Sequence, residues 1–163
     1  MRRVLLTAAA VLFMSGFAGT AHAQNNIVRF VAVLAGANET PAPGVLTGAF
    51  ANATVTLDLN TQTVSWNIDV FNIPSGTNNA HFHVGGPGLA GPTVVNVAFP
   101  AGISNDYNLS GSATAANLLV RADQGIRSWD DFIQALLGGQ TYLNIHTIVN
   151  GGGEIRGQVI RVP

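Results

Sequence analysis

Apolar and polar residues alternate with a period of two along most of the chain. In the segment 54–59, three apolar residues would share one face of a strand, with threonine and aspartate on the other face. The segment 64–70 alternates in the same way, and the polar residues 60–62 between the two segments predict a turn. The pattern therefore predicts a β-hairpin with one buried face, on which Leu59 is expected to lie.

Five further segments have the composition of strands, and clusters of glycine and proline separate them. These segments are residues 28–35, 80–84, 93–99, 141–148 and 154–162. Several short strands with turns between them are typical of antiparallel sandwiches and barrels.

The segment 128–137 departs from this alternation, because its apolar residues recur at helical spacing. Ser128 precedes it, Asp131 follows three residues later, and Gly138 stands at its end, which are signals for the start and stop of a helix. We therefore predict an all-β, antiparallel, Greek-key-like sandwich or barrel of about seven or eight strands with one short helix. No internal repeat or long linker divides it, so residues 24–163 are predicted to form a single domain.

The first 23 residues have the features of a secretory signal peptide rather than of a folded element. Arg2 and Arg3 precede an apolar run, which ends in a small-residue cleavage sequence at Ala23. About 15 apolar residues are fewer than the roughly 20 that span a bilayer, so no transmembrane segment is predicted. We expect cleavage after Ala23 and a periplasmic or secreted protein. Cleavage after Ala21 would instead make His22 the new N-terminus, where amine and imidazole could chelate copper.

Composition narrows the chemistry that the chain can perform. Seven arginines against eight acidic residues give a formal charge of −1, which excludes the basic surface that nucleic acids require. The absence of cysteine excludes disulfides, thiol nucleophiles and thiolate metal sites. Nucleophile-elbow and phosphate-loop motifs are also missing from the sequence.

Three histidines follow the predicted signal peptide, and all of them fall on polar faces of predicted strands. His81 and His83 are two residues apart, so their side chains point to the same side of a strand. His146 shares the polar face of its own strand with Asn144. Three neutral imidazoles suit copper or zinc with one position left open, and we take copper first with zinc as the alternative. The other readings are a hydrogen-bonded structural cluster and unrelated surface histidines.

Three charged residues beside these strands, together with Asn144, are candidates for a supporting polar cluster. Glu154 and Arg156 alternate in the last predicted strand, next to the strand of His146, and suggest a salt bridge there. Glu39, at the start of a turn, could be a further ligand or a partner of Arg156. An exposed pair of this kind would contribute less than about 1 kcal/mol.

These motifs together resemble the CHRD domain, a family named for chordin. The matching segments are 34–41 (LAGANETP), 80–83 (AHFH), 142–147 (YLNIHT) and 152–158 (GGEIRGQ). The resemblance implies an all-β domain that is usually extracytoplasmic, and it places the three histidines, Glu39, Glu154 and Arg156 on motif positions. The His-x-His segment is also similar to the copper strand of Cu/Zn superoxide dismutase.

Three functions remain open at this point. The first is a non-enzymatic, exported binding protein with a copper site at the histidines. The second is a structural module, or one that binds an extracellular or periplasmic protein, without metal. The third is a metal redox enzyme resembling superoxide dismutase. Against it, this sequence lacks the fourth histidine and the bridging ligand that such an enzyme needs.

Overall fold

The structure, a computed structural model, describes residues 26–163. The predicted signal peptide, residues 1–23, lies outside the described residues, as does His22. The strands are β1 (Ile27–Ala35), β2 (Phe50–Asp58), β3 (Thr63–Ile73), β4 (Thr77–Val84), β5 (Thr93–Asn96), β6 (Asn105–Ala113), β7 (Thr141–Thr147), β8 (Ile155–Gln158) and β9 (Ile160–Arg161). One α-helix, α1 (Trp129–Leu137), precedes β7, and short 3₁₀ turns lie at Gly36–Asn38, Ala115–Asn117 and Ala122–Gln124.

All the strands belong to one antiparallel sheet that curls into a nearly closed barrel. Its order is β5-β4-β7-β8-β1-β2-β3-β6, and β9 also pairs with β1. The structure thus confirms the predicted antiparallel all-β fold, and within the described residues it forms one curled sheet rather than two stacked sheets. The strands β4 and β7, which carry the candidate histidines, are direct neighbours.

The period-two alternation separates an apolar interior from a more polar exterior. In β3, Val64, Trp66, Ile68 and Val70 are buried as predicted, and β2 pairs with β3 along its whole length. Leu59 differs from the prediction, because β2 ends one residue before it and its side chain is 46% exposed. The hairpin is therefore correct, and its buried face stops at Leu57.

Helix α1 covers part of the apolar interior. The side chain of Ser128 accepts a hydrogen bond from the N–H of Asp131, whose carboxylate accepts one from the N–H of Ser128, so the capping box is complete. The indole of Trp129 donates to the carbonyl of Gln62 in the β2–β3 turn, at 2.7 Å. Phe132 is fully buried, and its ring lies edge-on to Phe82 of β4.

Two parts of the sheet differ from the sequence prediction. Strand β6 was not predicted, because its residues are mostly polar or small and only Leu109 and Ala113 are buried. The predicted strand 154–162 is divided into β8, which pairs with β7 and β1, and β9, which pairs with β1. Within residues 26–163, the structure contains no helix with the length and apolar character needed to cross a membrane.

Candidate functional site: a three-histidine cluster

Strand pairing brings the three predicted histidines together on the outer face of the sheet. Ala80 and Phe82 of β4 point into the core, so His81 and His83 point outward. On β7, Asn144 lies directly opposite His81, and His146 lies opposite Asn79. His146 is therefore a diagonal neighbour of His81, although 65 residues separate them in the sequence.

The imidazole nitrogens converge. One ring nitrogen from each histidine lies within 4.8 Å of those of the other two, and His81 Nδ1 is 3.3 Å from His146 Nε2. Copper and zinc bind imidazole nitrogen at about 2 Å, which places two ligand atoms of one ion about 3–4 Å apart. The His81–His146 pair already has this spacing, and no pair among the three exceeds 4.8 Å.

Backbone carbonyls orient two of the three rings. His83 Nδ1 lies 2.9 Å from the carbonyl oxygen of Gly91, and His146 Nδ1 lies 3.1 Å from that of Gly151. A carbonyl can only accept, so each Nδ1 carries the proton and donates it. The lone pair of each ring is then on Nε2, which is the arrangement found in metal-binding histidines.

Burial keeps the rings neutral. His83 and His146 are each 8% exposed, and His81 is half-buried. Burial, together with the charges of the other two histidines, lowers the pKa of His81 to about 4. Burial also lowers the pKa of His83 to about 4, against the opposing hydrogen bond to Gly91, and it lowers the pKa of His146. Near neutral pH all three can offer lone pairs to a cation.

The buried Nε2 of His83 has no hydrogen-bond partner. Buried polar atoms are nearly always paired, so one without a partner calls for an explanation. A cation at this position would accept the lone pair, because the proton of the ring is already committed to Gly91. Among residues 26–163, these three histidines are the one group of metal-ligating side chains of this kind.

Tyr142 belongs to the site, although the sequence analysis did not select it. Its ring stacks on His83 with centroids 4.7 Å apart and planes 6° from parallel. Its hydroxyl donates to the carbonyl of Gly91 and accepts from the N–H of the same residue. Tyr142, Asn144 and His146 are two residues apart on one strand and so point to the same side. This spacing in the sequence could have identified Tyr142 as a neighbour of the histidines.

Arg156 packs against the same tyrosine instead of forming the predicted salt bridge. Its guanidinium carbon lies 3.5 Å from the centroid of the Tyr142 ring. It donates to the carbonyls of Gly86 and Leu89 and to the hydroxyl of Thr40. These acceptors are neutral, so the guanidinium is satisfied without a bond to Glu39 or Glu154.

Glu39 and Asn144 form a buried pair beside the histidines. Asn144 Nδ2 donates to Glu39 Oε2 at 3.3 Å, while Glu39 Oε1 and Asn144 Oδ1 have no partner. Burial raises the pKa of Glu39 to about 7, against the lowering effects of Asn144 and of the charge on Arg156. Asn144 joins the two groups, because it lies between His81 and Arg156 across the sheet.

Glu154 stabilises the β7–β8 turn rather than the histidines. Its Oε2 accepts hydrogen bonds from the side chains of Thr147 and Asn150. That turn presents the Gly151 carbonyl to His146. Glu154 thus supports the site through the turn that it holds.

Comparison with models of known families matches residues 30–159 to the CHRD domain. No curated protein and no solved structure shows a significant match to the chain. The matched range contains both histidine-bearing strands, Glu39 and Arg156.

Proposed function

This chain belongs to the CHRD-domain family, and from that premise we propose that it is an extracytoplasmic metal-binding module whose ligands are His81, His83 and His146. The observation that supports this most strongly is the orientation of the rings. Two of them donate Nδ1–H to backbone carbonyls, which leaves the lone pair of each on Nε2, and one ring nitrogen of each histidine lies within 4.8 Å of those of the other two. His81 makes no bond to a carbonyl; without metal its Nδ1 can donate to His146 Nε2 at 3.3 Å, and a bound metal would replace that proton.

Copper is the metal that we propose first, and zinc is the alternative. The ligands are all neutral imidazoles, a donor that suits both ions, with no carboxylate to favour magnesium or calcium. At such a site Cu(II) binds more tightly than Zn(II) by the general order of divalent affinities. Three protein ligands leave one position for water or another small ligand.

The proposed location is the periplasm or the exterior of the cell. The arginine pair, apolar run and cleavage sequence of the first 23 residues support export, as does the extracytoplasmic type of the family. Mass spectrometry of the exported protein is expected to give Gln24 as the first residue. A mature chain that begins at His22, or that retains the apolar run, would contradict this cleavage.

Calorimetric titration of the chain from Gln24 onward with Cu(II) and Zn(II) tests the proposed metal site. We expect one equivalent of either ion to bind, with Cu(II) the tighter. His83→Ala and His81→Ala should each remove stoichiometric binding, because each deletes one of three ligands. Asn79→Ala is the matched control, since Asn79 is an exposed residue of the same strand and offers no imidazole. Absence of stoichiometric binding by Cu(II), Zn(II) and Cu(I) alike, or binding that both histidine variants retain, would overturn the proposal.

One observation favours a second candidate, a structural polar cluster without metal. With its proton on Nδ1, His146 can accept from His81 Nδ1 through Nε2, which gives a hydrogen bond between the two strands at 3.3 Å. On this reading His81→Ala would lower the free energy of unfolding of the metal-free protein, and added copper would not raise it. Denaturation with and without one equivalent of copper separates the two candidates.

A further inference from the structure

Three flat groups are stacked in a row behind the histidine cluster. The Tyr142 ring lies almost parallel to the His83 ring at 4.7 Å, and the Arg156 guanidinium carbon lies 3.5 Å from the centroid of the same tyrosine. His83 is on β4 and Arg156 is on β8, and β7 with Tyr142 runs between them. The histidine and the guanidinium therefore lie on opposite faces of the tyrosine ring.

The positive charge of Arg156 is buried and is not neutralised by an ion pair. The side chain is 2% exposed, and its hydrogen bonds run to two backbone carbonyls and one hydroxyl. Glu39 lies close enough for the charge of Arg156 to lower its pKa, but burial outweighs this effect and leaves that pKa at about 7. A buried charge without a direct ion-pair partner acts on other charges over a longer range than a surface charge does.

The effect of this charge reaches His83. Arg156, Tyr142 and His83 are all buried, and one tyrosine ring separates the guanidinium from the imidazole, so the charge acts on the ligand with little screening by solvent. A field that disfavours a proton on the ring also disfavours a cation bound to it, and it disfavours a divalent ion twice as strongly as a monovalent one. The proposed ligands are three neutral rings, so none of them supplies negative charge to offset a second positive charge on the metal.

We propose that Arg156, acting through the stacked Tyr142 ring, makes the histidine cluster selective for monovalent copper over divalent ions. This inference rests on the proposed function and specifies it, because it identifies Cu(I) as the preferred form of the metal. Arg156 is a positioning residue here: it touches neither the metal nor the open coordination position. Its bonds to Gly86, Leu89 and Thr40 hold its charge at a fixed distance behind the ligand His83.

The test measures Cu(I) and Cu(II) affinities separately and compares their ratio among variants. Cu(I) affinity is measured under reducing conditions by competition with a chromophoric Cu(I) chelator, and Cu(II) affinity by competition with glycine. Arg156→Gln removes the charge and is expected to shift the ratio toward Cu(II) by about tenfold. This is the effect expected of one partly buried unit charge on two ions that differ by one unit of charge. Arg156→Lys keeps the charge and should leave the ratio within about threefold of wild type.

Two further variants separate charge from structure. Thr40→Asp places a carboxylate next to the guanidinium, since the Thr40 hydroxyl already lies 3.3 Å from it. It should shift the ratio toward Cu(II) as Arg156→Gln does, and it decides the question if Arg156→Gln fails to fold. Thr40→Val removes the same hydrogen bond without adding charge, so it should leave the ratio unchanged.

The possible outcomes distinguish this inference from the proposed function. A ratio that is unchanged in both charge-altering variants would overturn the role of Arg156, as would a Lys variant that shifts the ratio as far as Gln does. Either result would leave the metal site itself standing. A wild-type protein that binds neither Cu(I) nor Cu(II) would instead contradict the proposed function.

Discussion

The chemistry of single residues at this site depends on which nitrogen of each ring carries the proton. In His83 and His146 the proton is held on Nδ1 by backbone carbonyls, those of Gly91 and Gly151. Both carbonyls lie in glycine-rich loops, so the loops as well as the strands define the site. The carbonyl of Gly91 also accepts from the hydroxyl of Tyr142, which holds the tyrosine and His83 in one arrangement.

The buried titratable groups predict how the stability of the metal-free protein changes with pH. His81 and His83 have an ordinary pKa of 6.5 and a folded pKa of about 4, so the unfolded chain binds more protons between these values. Their contribution to the free energy of unfolding is fully present above pH 6.5 and is lost as the pH falls toward 4. Glu39 acts in the opposite direction, since its pKa rises from 4.5 to about 7 on folding. The pKa values of two histidines are shifted about as far as that of the one carboxyl. The histidines should therefore have the larger effect on the free energy of unfolding, and the lowered pKa of His146 adds to it.

We therefore expect the free energy of unfolding to increase from pH 4.5 to pH 6.5, measured by urea denaturation without metal. Glu39→Gln should make this increase steeper, because it removes the one opposing group of the cluster. His81→Gln should make it shallower. A flat pH profile, or a shallower one for Glu39→Gln, would contradict the assignment of these groups as buried and neutral.

Gly153 is a residue at which a single added methyl group should disturb the site. Its φ is +139°, and a β-carbon built there would lie 2.5 Å from Glu39 Oε1. Gly153→Ala should therefore cost about 2 kcal/mol or more, through both backbone strain and displacement of the Glu39 carboxyl. Chemical denaturation measures this cost.

Gly152→Ala is the control for this substitution, since nothing lies within 4 Å of the position that its β-carbon would take. It should change the free energy of unfolding by less than about 1 kcal/mol. Equal effects of the two substitutions would show that the glycine turn is sensitive for a reason other than Glu39.

At the scale of elements, helix α1 is set by local signals that can be read from the sequence. Ser128, Asp131 and the apolar spacing after them define its start and its buried face, and the structure confirms each. Ser128→Ala should lower the free energy of unfolding by about 1 kcal/mol, because it removes the side-chain oxygen that caps the helix. Ser128→Thr keeps that oxygen and should recover most of the loss. A Thr variant as unstable as the Ala variant would contradict a capping role.

The hairpin β2–β3 was also predictable, because its alternation and its turn are local features. Strand β6 was not, since its formation depends on pairing with β3 more than on its own side chains, which are mostly polar or small. Gly111 shows this dependence: a β-carbon there would meet the Trp66 indole at 2.9 Å. The division between β8 and β9 has a similar origin, because β8 lies between β7 and β1 whereas β9 pairs with β1, and nothing in the local sequence marks the change.

Strand β7 is the element whose environment differs most from the expected pattern. All seven of its residues are buried, although the alternation predicted one polar, open face. The outward side chains are covered by residues far away in the chain: Glu39 bonds to Asn144, and Gly91 bonds to Tyr142. The sequence could place His146 on the right face, but it could not show that this face is enclosed.

At the scale of the whole molecule, the barrel separates two kinds of chemistry. Its interior is filled with apolar side chains, and the polar cluster lies outside the sheet under the loops that follow β1, β4 and β7. The meeting of the histidines depends on the pairing and register of β4 and β7, which are long-range properties. The sequence therefore identifies the candidate ligands, whereas the distances between them follow from the topology of the sheet.

The most direct test of the metal site is crystallographic. Crystals of the protein grown with one equivalent of copper should give a single anomalous peak at the copper absorption edge. We expect it about 2 Å from Nε2 of His83, from Nε2 of His146 and from a ring nitrogen of His81. A peak bound to other residues, or no peak while the three imidazoles keep their metal-free positions, would contradict the account.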